Sequence, residues 1–230
     1  MTRRLMYIAL ASALVAMIGG LCATSAYAAS PAPMSHAMGM PAPKSTPAPT
    51  PAPGEAAFIA DVTKALQAKY PTTAAATAGG YSQMTRMEDD GTVIWFNGRW
   101  DSNVSKYEPN FLWYDKNGKL VGLDYQYTVS ANPKPPAGTY PVRASRWTTI
   151  DPHVHFAYKL PNGSVKRRGA MLLKGETADP TAAQLKAAKL LPANASLLWA
   201  HYHPKSWDLG FWLVPNPNGA FADLNPRVKP

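Results

Sequence analysis

The sequence predicts an α+β fold: one domain with an antiparallel sheet of about six to eight strands and two or three helices packed on one side or at one end. Three observations predict it. Apolar residues keep helical spacing in two separate stretches only. Short runs of β-branched and aromatic residues recur between them. Strong reversal signals, Asn117-Gly118 and Pro161-Asn162-Gly163, separate neighbouring runs.

The elements follow in order. Phe58, Val62, Ala65, Leu66 and Lys69 share one helical face. Pro71 opens a short Ala-rich turn that stops at Gly79-Gly80. Strands are expected over 92–96, 111–114 and 120–129, the last two joined by the hairpin at 116–119. A Pro-rich loop spans 132–141. Strands over 153–160 and 165–173 form a second antiparallel pair. Asp179 is the expected N-cap of a helix that begins at Pro180 and ends at Pro192. Strands over 196–203 and 207–214 complete the domain.

Residues 55–230 form this domain. Residues 1–28 read as a signal peptide: Arg3 and Arg4 precede an apolar run, and Ala26-Tyr27-Ala28 supplies a small-residue cleavage site. The expected location is therefore extracytoplasmic, periplasmic or secreted, with no transmembrane segment after cleavage. Residues 29–54 are almost entirely Ala, Pro, Ser, Thr, Met and Gly with Pro-Ala-Pro occurring four times, which predicts an extended tether that cannot bury enough apolar surface to fold. The single cysteine, Cys22, lies in the signal segment, so the domain has neither disulfide nor thiolate site.

The formal net charge of +9 is spread along the chain, and its densest run is Lys166-Arg167-Arg168. Scattered cations fit a solvated surface first and an anionic cell-envelope polymer second, with a protein partner also open. No nucleic-acid-binding motif is present.

Four of the five histidines fall in the domain, as two His-x-His pairs: His153/His155 and His201/His203. Both pairs lie on expected strands, where residues two apart project to the same face. In the first strand Val154, Phe156, Tyr158 and Leu160 form an apolar face, whereas Asp151, His153, His155 and Lys159 form a polar one. Neutral imidazole ligates zinc and copper, so the pairs are candidate metal ligands, with Asp151 as a further ligand or as the acceptor that fixes a histidine tautomer. The tether adds Met34, His36, Met38 and Met40. Thioethers suit Cu(I), which favours copper over zinc. Pro204, directly after His203, turns its strand.

Other features carry less chemistry. The seven Trp mostly fill the core, and Trp199 and Trp207 flank the second His pair as candidate walls of a metal pocket. Glu88-Asp89-Asp90-Gly91 is a solvated acidic turn without calcium-loop spacing. No hydrolase, metalloprotease or phosphate-loop motif occurs. Asp208 is the candidate general base should chemistry take place. The leading expectation is a metal-binding protein without catalysis. The alternatives are an envelope module that binds polysaccharide or protein, and a metal-dependent enzyme with an open coordination position.

Overall fold

The computed structural model describes residues 47–230 apart from Leu172, Lys174 and Glu176. Among the described residues there are three α-helices and nine strands: α1 (Pro53–Lys69), α2 (Thr73–Ala78), β1 (Ser82–Gln83), β2 (Val93–Phe96), β3 (Phe111–Tyr114), β4 (Leu120–Thr128), β5 (Thr148–Ile150), β6 (His153–Lys159), β7 (Val165–Met171), α3 (Ala182–Ala187), β8 (Ser196–His203) and β9 (Ser206–Trp212). The fold is α+β, as the sequence predicts. The strands form two antiparallel sheets: a six-stranded one ordered β1-β2-β3-β4-β9-β5 and a three-stranded one ordered β7-β6-β8.

Alternation along the strands makes four layers. Leu112, Tyr114, Leu123, Tyr125, Leu209 and Phe211 leave one face of the large sheet and bury against Phe58, Val62 and Leu66 of α1. Ile94, Phe96, Phe111, Trp113 and Trp212 leave the other face and form a second core, against which Trp199 of β8 packs. The far face of the small sheet, Val154, Phe156 and Tyr158, is covered by Leu185 of α3 and by Leu191 and Ala195. The histidine-bearing face of β6 therefore looks into the molecule, towards the large sheet.

A bent ribbon joins the sheets. β5 pairs with β9 in the large sheet, up to Ile150 opposite Ser206. The same two chain segments continue as β6 and β8 in the small sheet, starting with His153 opposite His203. Between them lie Asp151-Pro152 on one side and Pro204-Lys205 on the other. Proline has no N–H to give the ladder, so both segments interrupt pairing at the same level and the ribbon turns from one sheet into the other. Lys205 and Asp151 form an exposed ion pair at this corner, 3.5 Å apart.

Local signals behave as their chemistry dictates. Gly118 adopts φ 71° in the turn between β3 and β4. α2 is capped by Thr72, whose side chain accepts from Ala75 N. α3 starts later than the sequence suggests: Thr181 is its N-cap and forms a capping box with Gln184. Asp179 instead accepts a hydrogen bond from Tyr202 N, tying the segment before α3 to β8.

Ordered contacts begin before residue 55. Ala48 N donates to Asn218 O, and Arg146 and Arg143 donate to the carbonyls of Pro49 and Thr50. Both arginines also grip Glu55, which is almost fully buried in the first turn of α1 and accepts from Ala52 N. Burial acts to raise the Glu55 pKa, but the hydrogen bonds from Arg143, Arg146 and the backbone outweigh it and hold the carboxyl well below its usual range. A carboxylate with a depressed folded pKa stabilises the fold above its unfolded pKa of about 4.3, and the contribution disappears as pH falls through the folded value. Glu55→Gln is expected to cost about 2 kcal/mol at neutral pH and to flatten the acid limb of the stability profile, read by urea unfolding between pH 3 and pH 7 (roughly the window implied by the unfolded pKa).

Candidate metal centre

β6 and β8 run antiparallel with His153 opposite His203 and His155 opposite His201. The register brings both His-x-His pairs together on one face. That face is polar, as the sequence suggests, but it does not meet solvent: the relative exposures of His153, His155 and His203 are 9%, 4% and 2%. The large sheet closes over them. Phe111 lies against His203, and Phe96 and Trp100 lie against His201. His153 and His203 stack with ring centroids 4.2 Å apart, and His155 is 4.8 Å from His153.

The corner of the ribbon sets the tautomers. His153 Nδ1 lies 2.7 Å from Asp151 O and His203 Nδ1 lies 2.9 Å from Pro204 O. A carbonyl oxygen only accepts, so each Nδ1 is assigned the hydrogen and each Nε2 of the neutral ring is left with a lone pair. Both carbonyls belong to the two interrupted segments where the strands change sheet. The Asp151 carboxylate is exposed and turned to Lys205, so the tautomer-fixing acceptor at this position is its backbone carbonyl.

The Nε2 atoms face inward. His153 Nε2 is 2.9 Å from His155 Nε2, and His203 Nε2 is 2.6 Å from Gln126 Oε1. Gln126 Nε2 donates to Asp208 Oδ1 at 2.9 Å. Asp124, two residues before Gln126 on β4, accepts from Trp113 Nε1 at 2.7 Å. His201 is partly exposed, with Nδ1 3.6 Å from Asp179. Its Nε2 is buried and has no hydrogen-bond partner among the described residues. Burial pushes the His201 pKa down, against the opposing pull of Asp179. Among the described residues, no group of three or more His, Cys, Asp or Glu side chains is placed so that it could hold a metal ion.

The two aspartates behave as a pair. Both are buried on adjacent strands of the large sheet, facing the histidines' side. Burial, then the neighbouring Asp208 charge, raises the Asp124 pKa well above the carboxylate range. Burial raises Asp208 to about 7, tempered by hydrogen bonds from Gln126 and Asp124. Near neutral pH the pair thus retains at least one proton.

Several residues here are absent from the sequence-level candidates. Asp124 and Gln126 are buried polar residues in a strand otherwise rich in Leu, Val and Tyr, on one face because they stand two apart. That signal was available in the sequence. Trp100 was not legible as a wall, because it lies in an irregular loop. Trp207, expected as a wall, instead packs on the α1 side of the large sheet. Asp208 is brought to the cluster, two hydrogen bonds from His203. Met34, His36, Met38 and Met40 lie outside the described residues.

No protein-family model, characterised protein or solved structure matches this chain. No helix among the described residues is long and apolar enough to cross a membrane.

Proposed function

We propose that this is an exported protein that binds one transition-metal ion, copper ahead of zinc, between its two sheets. His153, His155 and His203 are the principal ligands. His201 supplies a fourth imidazole on the same face. The observation that carries this reading is the pair of Nδ1–carbonyl hydrogen bonds that aim the His153 and His203 lone pairs inward. Ligating histidines are commonly held through their other ring nitrogen in this way.

Two close contacts support it further. His203 Nε2 stands 2.6 Å from Gln126 Oε1, two acceptor atoms that can approach so closely only with a shared proton, and a metal ion would take that proton's place at Nε2. His153 and His155 present nitrogens 2.9 Å apart. Donors at about 2.0–2.1 Å from a metal stand about 2.9 Å apart when cis in a square plane, and further apart in a tetrahedron. The spacing thus favours Cu(II) geometry. Binding requires the Gln126 amide to turn away from His203 or to offer its own oxygen. The Met/His run of the tether adds soft ligands that could deliver the ion, and the signal-like segment supports an extracytoplasmic setting.

The test is titration of the purified protein with Cu(II) and Zn(II). One-to-one binding is expected, at least about a hundredfold weaker in His153→Ala and in His203→Ala, because each removes a ligand whose orientation the fold supplies. Equal affinity in wild type and both variants would contradict the reading.

A further inference from the structure

A second feature lies at the opposite edge of the small sheet. A cleft of about 560 Å³ is lined by Gln83, Arg86 and Met87 from β1 and the segment after it, by Tyr158 of β6, and by residues 165–168 of β7. It lies beside the edge strands of both sheets, since β1 ends the six-stranded order and β7 ends the three-stranded one. Four of the lining residues are cations, Arg86, Lys166, Arg167 and Arg168, and none is acidic. Among the described residues, Lys166, Arg167 and Arg168 have no carboxylate within ion-pair distance. Arg167 Nε is buried and has no hydrogen-bond partner among the described residues. A buried guanidinium N–H without an acceptor is costly, and a bound oxyanion would supply one.

From these observations we infer that this cleft binds a phosphate-bearing chain. Its four cationic residues make a lining rich in hydrogen-bond donors. A carboxylate offers two acceptor oxygens per charge, whereas a phosphoryl group offers more and takes the bidentate guanidinium fork equally well. Lys166 and Arg168 leave one face of β7 and Arg167 the other, since successive strand residues alternate. All three nevertheless line the cleft, so it follows the edge of the strand. An elongated ligand laid along that edge reaches all three cations, which a single inorganic phosphate does not. This site shares no residue with the histidine cluster and does not depend on the metal reading.

The experiment uses the full mature chain and linear tripolyphosphate as the probe, followed by calorimetry at low and high salt. Inorganic phosphate, vesicles containing phosphatidylglycerol and polygalacturonate serve as comparison arms. Saturable tripolyphosphate binding is expected, tighter than that of inorganic phosphate and weakened by salt. It should fall at least about tenfold in Arg86→Gln/Arg168→Gln and in the exposed-site variant Lys166→Glu, with unchanged circular dichroism. Lys189→Gln, away from the cleft, should bind as wild type. Binding to the vesicles lost in the same variants would identify a lipid headgroup as the source of the phosphate. No tripolyphosphate binding, binding unchanged in both cleft variants, or preferential binding of polygalacturonate would overturn the phosphate assignment.

Discussion

Asp208→Asn is expected to stabilise the protein at alkaline pH, by roughly 2–4 kcal/mol at pH 8 and by a smaller amount, about 1–2 kcal/mol, at pH 5, which lies about one unit above the unfolded value. The sign follows from the direction of the shift. In the unfolded chain the carboxyl titrates near about 3.9. In the fold, burial raises Asp208 to about 7. The folded state therefore holds a proton that the unfolded state releases, and stability falls as pH rises from the unfolded value through the folded one. Asparagine has the same shape and still accepts from Gln126 Nε2, but carries no charge into the space between the sheets. It also removes the like charge that helps to keep Asp124 protonated. Urea unfolding at the two pH values checks this. A variant less stable than wild type at pH 8 would mean that the ionised carboxylate is matched by a cation, which would itself point to an occupied metal centre or a charged His203.

Gly122→Ala is expected to cost about 3 kcal/mol. A Cβ at position 122 would overlap the indole of Trp113, coming within 2.8 Å of Cζ3 and Cδ2. Trp113 stands opposite Gly122 across the β3–β4 ladder. The ring cannot easily retreat: its Nε1 is bound to Asp124 and its face meets Trp212 at a centroid distance of 5.1 Å. Displacing it would also loosen Asp124 and the polar network that ends on His203. A thermal melt together with near-ultraviolet circular dichroism would measure both consequences. A melting temperature equal to wild type would mean that the sheet shifts freely here and that the tight Trp113–Gly122 packing does not position the polar cluster.

Elements set by local chemistry were legible in the sequence. The hairpin at Asn117-Gly118, the strand alternation of β6 and the Ala-rich α2 depend on residues close together in the chain. The division of the strands between two sheets was not legible, because it depends on which strands pair. Pro152 and Pro204 look like strand ends or turns when read singly. Together they form one corner, and only the register between β6 and β8 shows that they meet. The start of α3 was misplaced for a related reason. Asp179 has the chemistry of an N-cap, but Tyr202 N on β8 competes for it, and Thr181 with Gln184 serves the helix. The histidine pairs were visible from their spacing. Their burial was not, since a polar strand face suggests solvent until another sheet covers it. Asp124 and Gln126 stood on a strand dominated by Tyr and Leu, and their importance emerges from what faces them.

The most direct measurement is the electron paramagnetic resonance spectrum of the mature protein loaded with one equivalent of Cu(II). The account predicts an axial signal with hyperfine coupling to several imidazole nitrogens, including the remote Nδ1 atoms, and loss of that signal in His153→Ala/His203→Ala. A spectrum of free or nonspecifically bound copper, or an imidazole-coupled signal that persists in the double variant, would contradict a metal centre at the corner of the two sheets.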